Sequence, residues 1–194
     1  MTSVKAWCRA RMLVLARAVA RTGLSPNAVT LITLALNCGV AALIASGSLV
    51  LGGLLVLVVG ALDSLDGALA RLSNRATTFG AFLDSTLDRY SEAVLFLGVI
   101  YHHRADPQTV VLAYVALVGS LMVSYARARA EGLGLDCEVG LLARPERMAV
   151  LGLGLIATYF DQRILTAALL ALAFFTHCTA LQRIVHVHRL TRGE

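Results

Sequence analysis

Asp63, Asp66, Asp84 and Asp88 stand in stretches of chain otherwise apolar enough to enter a membrane. A carboxylate in such surroundings is costly unless something compensates its charge, and a cluster of four points to a bound metal. Asp63 and Asp66 are spaced i,i+3 and Asp84 and Asp88 i,i+4, so each pair falls on one face of a helix. Suppose one helix runs inward and ends near Arg71, and the next starts near Phe79 and runs back. Asp66 and Asp84 then lie five residues from the inner end, and Asp63 and Asp88 eight and nine. At about 1.5 Å per residue, both pairs sit about 7 to 14 Å below the same surface. The short turn from Leu72 to Thr78 sets them face to face. Four carboxylates at one level repel strongly in low dielectric unless cations lie between them, and hard oxygen ligands suit Mg²⁺, Mn²⁺ or Ca²⁺. The pattern predicts one or two divalent ions held by these aspartates.

The elements that must position them are read from hydropathy. With 58% hydrophobic and 15% charged residues over 194 positions and a mean hydropathy of +0.75, the chain exceeds the apolar content of a soluble domain. Windows of about 20 residues predict spans at Ala28 to Ser46, Leu49 to Arg71, Phe79 to Tyr101, Thr109 to Arg129, Met148 to Phe160 and Ile164 to Arg183. The fifth is short and can be taken back to Pro145. The fold expected is an all-α integral membrane protein of six transmembrane helices forming one domain, 24–194, preceded by an interfacial helix at 1–23. In that leading segment Val4, Trp7, Leu13, Val14 and Leu15 alternate with Lys5, Arg9, Arg11, Arg17 and Arg21, which suits an anionic membrane face. A solvated basic tail is the alternative. The segment lacks a cleavage site after a hydrophobic core, which reads against a signal peptide.

Charge sets the orientation. Arg75, Arg127, Arg129, Arg144, Arg147, Arg183, Arg189 and Arg192 fall on one side of the six spans, and little beyond Arg104 and Arg163 on the other. The positive-inside rule then puts both termini and the aspartate site in the cytoplasm of a multi-pass cell-membrane protein. The net charge of +5 reflects that orientation and anionic ligands, and nothing argues for nucleic acid. Cys8, Cys38, Cys137 and Cys178 lack ligand spacing and read as packing residues. His102, His103, His186 and His188 read as interfacial polar residues. Gly67 follows Asp66, and Gly80 precedes Asp84 by four. Each lets a ligand or a neighbouring backbone approach, with small-residue helix packing as the plainer role. Arg71 ends the second span, where it meets a phosphate or simply snorkels.

Asp63, Asp66, Gly67, Ala70, Arg71, Gly80, Asp84 and Asp88 fit the pattern D-x2-D-G-x2-A-R-x8-G-x3-D-x3-D without a missing position. In this the chain resembles the CDP-alcohol phosphatidyltransferases. Ser25, Pro26, Asn27 and Thr30 are similar to the segment that opens the family's first span. The resemblance implies a six-helix membrane fold, a homodimer, and a divalent metal, Mg²⁺ or Mn²⁺, that serves exchange of CMP on a CDP-activated lipid for an alcohol. It further implies that Asp63, Asp66 and Asp84 hold metal and diphosphate and that Asp88 is the base, with a share in metal binding. Asn27, Thr30, Gly67, Ala70, Arg71 and Gly80 would accompany Asp66 on the CDP side. The chemistry is consistent with the residues, because an attacking hydroxyl must lose a proton to a carboxylate within reach.

The acceptor is read from the arginines. Arg127, Arg144, Arg147 and Arg183 converge on the cytoplasmic ends of the last three spans. Orientation explains some of them, while their joint placement suits a phosphorylated alcohol. The stretches Ser124 to Gly132, Arg144 to Arg147, Gly80 to Arg89 and Leu181 to Arg183 resemble the phosphatidylinositol phosphate and archaetidylinositol phosphate synthases within the family. That likeness implies CDP-diacylglycerol as donor and inositol 1-phosphate as acceptor, with Arg127, Arg144, Arg147 and Arg183 around the acceptor phosphate. Arg127 stands where that subgroup often has lysine, and the charge is kept. Glycerol 3-phosphate as acceptor and CDP-inositol as donor are the alternatives. A cation transporter would also place carboxylates in a membrane, but fixed arginines near the path would repel its cargo.

Overall fold

The computed structural model describes residues 25–72 and 77–192, with side chains throughout except at 64–72. The predicted helix at 1–23 therefore lies outside the described residues. Among the described residues there are six helices and no strand: α1 Pro26–Ala45, α2 Leu49–Leu72, α3 Thr78–His102, α4 Pro107–Glu131, α5 Arg144–Ala157 and α6 Arg163–Leu190. Each predicted apolar stretch is thus helical.

Local sequence decides where several of these helices begin. Ser25 accepts from the Ala28 N–H at 3.2 Å, with Pro26 in the first turn where its missing N–H costs nothing. Thr77 accepts from the Gly80 N–H at 2.9 Å and starts α3. Asp106 accepts from Gln108 N–H at 3.2 Å ahead of Pro107. The fifth helix starts at Arg144, next to the earlier of the two starts read from the sequence, because Pro145 fits the first helical turn even though hydropathy there is low. The last helix runs on past Arg183 to Leu190, since charge ends the apolar run but no Pro or Gly ends the helix.

Packing divides the helices into two sets that share a core. α1 lies against α2 and α3, α4 against α6 and α3, and α5 against α2 and α6. Ile44 of α1, Phe96 of α3, Ala116 of α4, Leu151 of α5 and Leu169 of α6 meet with no exposure. Between α2 and α5 the backbones approach closely: a Cβ on Gly53 would lie 2.6 Å from the Gly152 carbonyl oxygen.

Among the described residues three helices, α1, α4 and α6, are long and apolar enough to cross a membrane, and α2 adds an apolar run over Leu49–Asp63. The outer surface is correspondingly apolar. Phe79, Phe82 and Leu97 on α3, Tyr114 and Tyr125 on α4, and Phe174 and Leu181 on α6 are all more than half exposed, which suits hydrocarbon rather than water.

Candidate active site

α2 and α3 both pack on α1 rather than chiefly on each other, so the space between them is open to side chains. Into it project Asp63 from α2 and Asp84 and Asp88 from α3, half-buried, each offering an oxygen within 4.8 Å of those of the other two. The i,i+4 spacing on α3 puts Asp84 and Asp88 on one face, and the fold turns Asp63 toward that face. Asp66 stands one turn further along α2; its side chain, like those of Ala70 and Arg71, lies outside the described residues, as does the surrounding of Gly67.

The donor set suits a hard divalent cation: three carboxylates from two helices can converge on one ion, leaving its other positions for water or phosphate oxygens. A cationic side chain already reaches them. Arg144, in the first turn of α5, bridges the helices by binding Asp63 and by placing NH1 2.9 Å from Asp88 Oδ1. Among the described residues its Nε is buried without a hydrogen-bond partner. On the other side of Asp88, Arg89 NH1 stands 3.5 Å from Oδ2 and also donates to the Ser85 carbonyl. Asp88 therefore carries two guanidinium neighbours, which offset the repulsion of the adjoining acids.

Gly80 marks where α1 reaches the site. A Cβ there would lie 3.0 Å from Asn27 Oδ1 and 3.0 Å from Thr77 Oγ1, so glycine permits the start of α3 to sit beside the start of α1. Thr30, one turn into α1, is buried and donates to the Pro26 carbonyl at 3.1 Å. Behind Arg144 a cavity of about 200 Å³ runs between α2 and α5, its walls including Val56, Leu57, Gly60 and Met148. One end is charged and the rest apolar, as an amphiphilic ligand requires.

The other arginines have distinct surroundings. Arg147 is 1% exposed and donates from Nε and NH2 to the two Glu92 oxygens at 2.9 and 3.0 Å. NH2 also lies 3.4 Å from Ser124 Oγ on α4. Arg183 donates from Nε to the Val139 carbonyl at 2.8 Å and from NH1 to the Val123 carbonyl at 2.6 Å. Arg127 pairs with Glu131 at 2.7 Å and Glu138 at 3.0 Å near the surface. Arg183 lies within electrostatic reach of both Arg127 and Arg147. Of the four, Arg144 contacts the aspartates directly. Glu92 was missed in the sequence, although its i,i+4 position after Asp88 within an apolar helix was a readable sign.

Comparison with known proteins identifies the family. The family described as CDP-alcohol phosphatidyltransferase matches residues 23–179. The archaetidylinositol phosphate synthase of Methanothermobacter thermautotrophicus is 40% identical over 168 residues, covering 86% of this chain and 85% of its own. The crystal structure of Mycobacterium tuberculosis phosphatidylinositol phosphate synthase with CDP-DAG bound superposes with a TM-score of 0.83 at 33% identity, over 91% of this chain and 92% of that one. The same enzyme in complex with manganese and citrate gives 0.83 at 32% identity, over 91% and 88%. The chain belongs to the CDP-alcohol phosphatidyltransferase family, and it is a membrane-embedded transferase of substituted phosphate groups.

Proposed function

We propose that the protein transfers the phosphatidyl group of CDP-diacylglycerol to inositol 1-phosphate, giving phosphatidylinositol phosphate and CMP. The observation that carries this reading is the meeting of Asp63, Asp84 and Asp88 with Arg144 at one place, in a chain so similar to synthases of that kind.

Asp63, Asp66, Asp84 and Asp88 would hold Mg²⁺ or Mn²⁺. When bound, the ion neutralises charge on the donor diphosphate and aligns it. Asn27, Thr30, Gly67, Ala70, Arg71 and Gly80 flank the CDP moiety with Asp66, and the apolar cavity beside Arg144 suits part of the lipid. Asp88 takes the proton from the acceptor hydroxyl as its oxygen attacks the phosphorus carrying diacylglycerol. The bond from that phosphorus to CMP breaks, CMP leaves with the electron pair, and the proton passes from Asp88 to solvent. Arg144 and Arg127, which keep solvent-facing area, meet the acceptor phosphate. Arg183 adds positive charge behind them, and Arg147, paired with Glu92, supports the pocket from below; together they tie α3, α4, α5 and α6 to one another.

We further infer that all six helices of a single domain, 24–194, cross the membrane, with 1–23 lying on its cytoplasmic face and the active site and both termini cytoplasmic. The exposed apolar faces and the arginine bias support this. At 14 residues α5 is about 21 Å long, so its turn to Phe160 would complete the crossing. A homodimer is proposed on family grounds.

The test is to give purified protein CDP-diacylglycerol with Mg²⁺ or Mn²⁺ and, separately, inositol 1-phosphate, glycerol 3-phosphate, inositol and serine. Phosphatidylinositol phosphate should form with the first alone. Product from glycerol 3-phosphate instead would overturn the acceptor assignment.

A further inference from the structure

Two acids of α3, Asp88 and Glu92, stand one turn apart, and so do two arginines of α5, Arg144 and Arg147. They meet as two rungs, Arg144 on Asp88 at 2.9 Å and Arg147 on Glu92 at 2.9 and 3.0 Å. The rungs differ in surroundings. Arg144 and Asp88 retain 21% and 15% of side-chain exposure, whereas Arg147 and Glu92 retain 1% each. Opening the inner rung would leave two charges buried without partners, so it stays closed. The outer rung can exchange.

Among the described residues, the other ties at the start of α5 run to helices other than α3. The main neighbours of α5 are α2 and α6, and its N-cap Ala143 makes no side-chain hydrogen bond. The segment 135–143 before it is held to α6, by Thr179 accepting from the Leu141 and Leu142 N–H groups and by Arg183 donating to the Val139 carbonyl. We propose that Glu92 is a positioning residue: by clamping Arg147 it sets the first turn of α5 so that Arg144 faces Asp63 and Asp88. Arg144 is thereby kept among the carboxylates, where it competes with a divalent cation for the same oxygens and stands ready for a phosphate. The proposal rests on the reading of these aspartates as the metal site.

The test measures Mn²⁺ binding, by the electron paramagnetic resonance of free Mn²⁺, on full-length protein in nanodiscs. Arg144→Gln should lower the Mn²⁺ Kd about three- to tenfold by removing the competing cation. The double variant Glu92→Leu/Arg147→Met replaces the inner rung with apolar bulk that such a site tolerates. It should lower the Kd in the same direction, because Arg144 is no longer aimed. Adding Arg144→Gln to the double variant should give no shift beyond that of Arg144→Gln alone. Thermal melting confirms that each variant is folded; if the double variant is not, Glu92→Gln reads the same quantity with a smaller shift. A folded inner-rung variant with the wild-type Kd, or a shift equally large without Arg144, would overturn the positioning role. Wild-type protein that binds no Mn²⁺ would instead overturn the metal-site reading and the proposal with it.

Discussion

Asp88 is the residue on which acid chemistry and cation binding coincide, since it stands beside Asp63 and Asp84 while Arg144 meets one of its oxygens and Arg89 the other. Asp88→Asn keeps the shape and one acceptor oxygen but cannot take a proton. CMP release should fall by about 10²- to 10⁴-fold, while CDP-diacylglycerol binding, followed by a donor-titration assay, changes far less. Near-normal turnover would remove Asp88 as the base. Arg183 poses a different question, because its guanidinium holds the carbonyls of Val139 and Val123. Arg183→Ala is expected to raise the acceptor KM about tenfold, because positive charge behind the acceptor phosphate is lost, and to leave the donor KM nearly unchanged. Equal losses for both substrates would assign Arg183 to the scaffold alone. The motif residues were legible because their types are improbable in apolar helices. Glu92 was passed over because, although it follows Asp88 at i,i+4, it lies outside the motif, and its partner Arg147 is 55 residues away in sequence.

Helix ends and crossings carry the next layer. α2 supplies Asp63, α3 supplies Asp84 and Asp88, and α5 brings Arg144 to them, so the approach of α2 to α5 governs the site as well as stability. At Gly53 an added side chain would press on the Gly152 carbonyl at 2.6 Å and on Leu155 Cβ at 2.8 Å. Gly53→Val should destabilise the fold by about 1 to 3 kcal/mol, the usual cost of overpacking. It should also reduce turnover in the folded fraction, measured as thermal melting and specific activity on one preparation. The helices were predictable from apolar runs and from caps such as Ser25, Thr77 and Asp106, whose side chains outcompete water for first-turn N–H groups. The C-terminal end of α6 was placed too early because hydropathy reports what borders hydrocarbon, whereas a helix continues until its backbone is interrupted.

For the whole molecule, orientation and metal dependence are the properties to check. Single cysteines placed at Arg104 or Arg163, in a background lacking the natural ones, should react with an impermeant thiol reagent from outside intact cells. Cysteines at Glu138 or Arg192 should react only after the membrane is opened. The reverse pattern would invert the proposed topology. Chelation with EDTA should abolish CMP release, and Mg²⁺ or Mn²⁺ should restore it, whereas Zn²⁺ fits an all-carboxylate oxygen set less well. Activity untouched by EDTA would count against the aspartates as an ion site.

The sequence by itself determined the chemistry available: acids at helical spacing in apolar chain, arginines biased to one side, and eight motif positions at fixed gaps. Those are one-dimensional signals, because periodicity and composition are set by neighbours along the chain. Only the tertiary structure decided that Arg144 reaches across 81 residues to Asp63, that Arg147 is neutralised by Glu92, and that Arg183 is engaged by backbone carbonyls. The physical reason is that a guanidinium's role depends on which acceptor desolvates with it, and helix packing rather than sequence position chooses that partner.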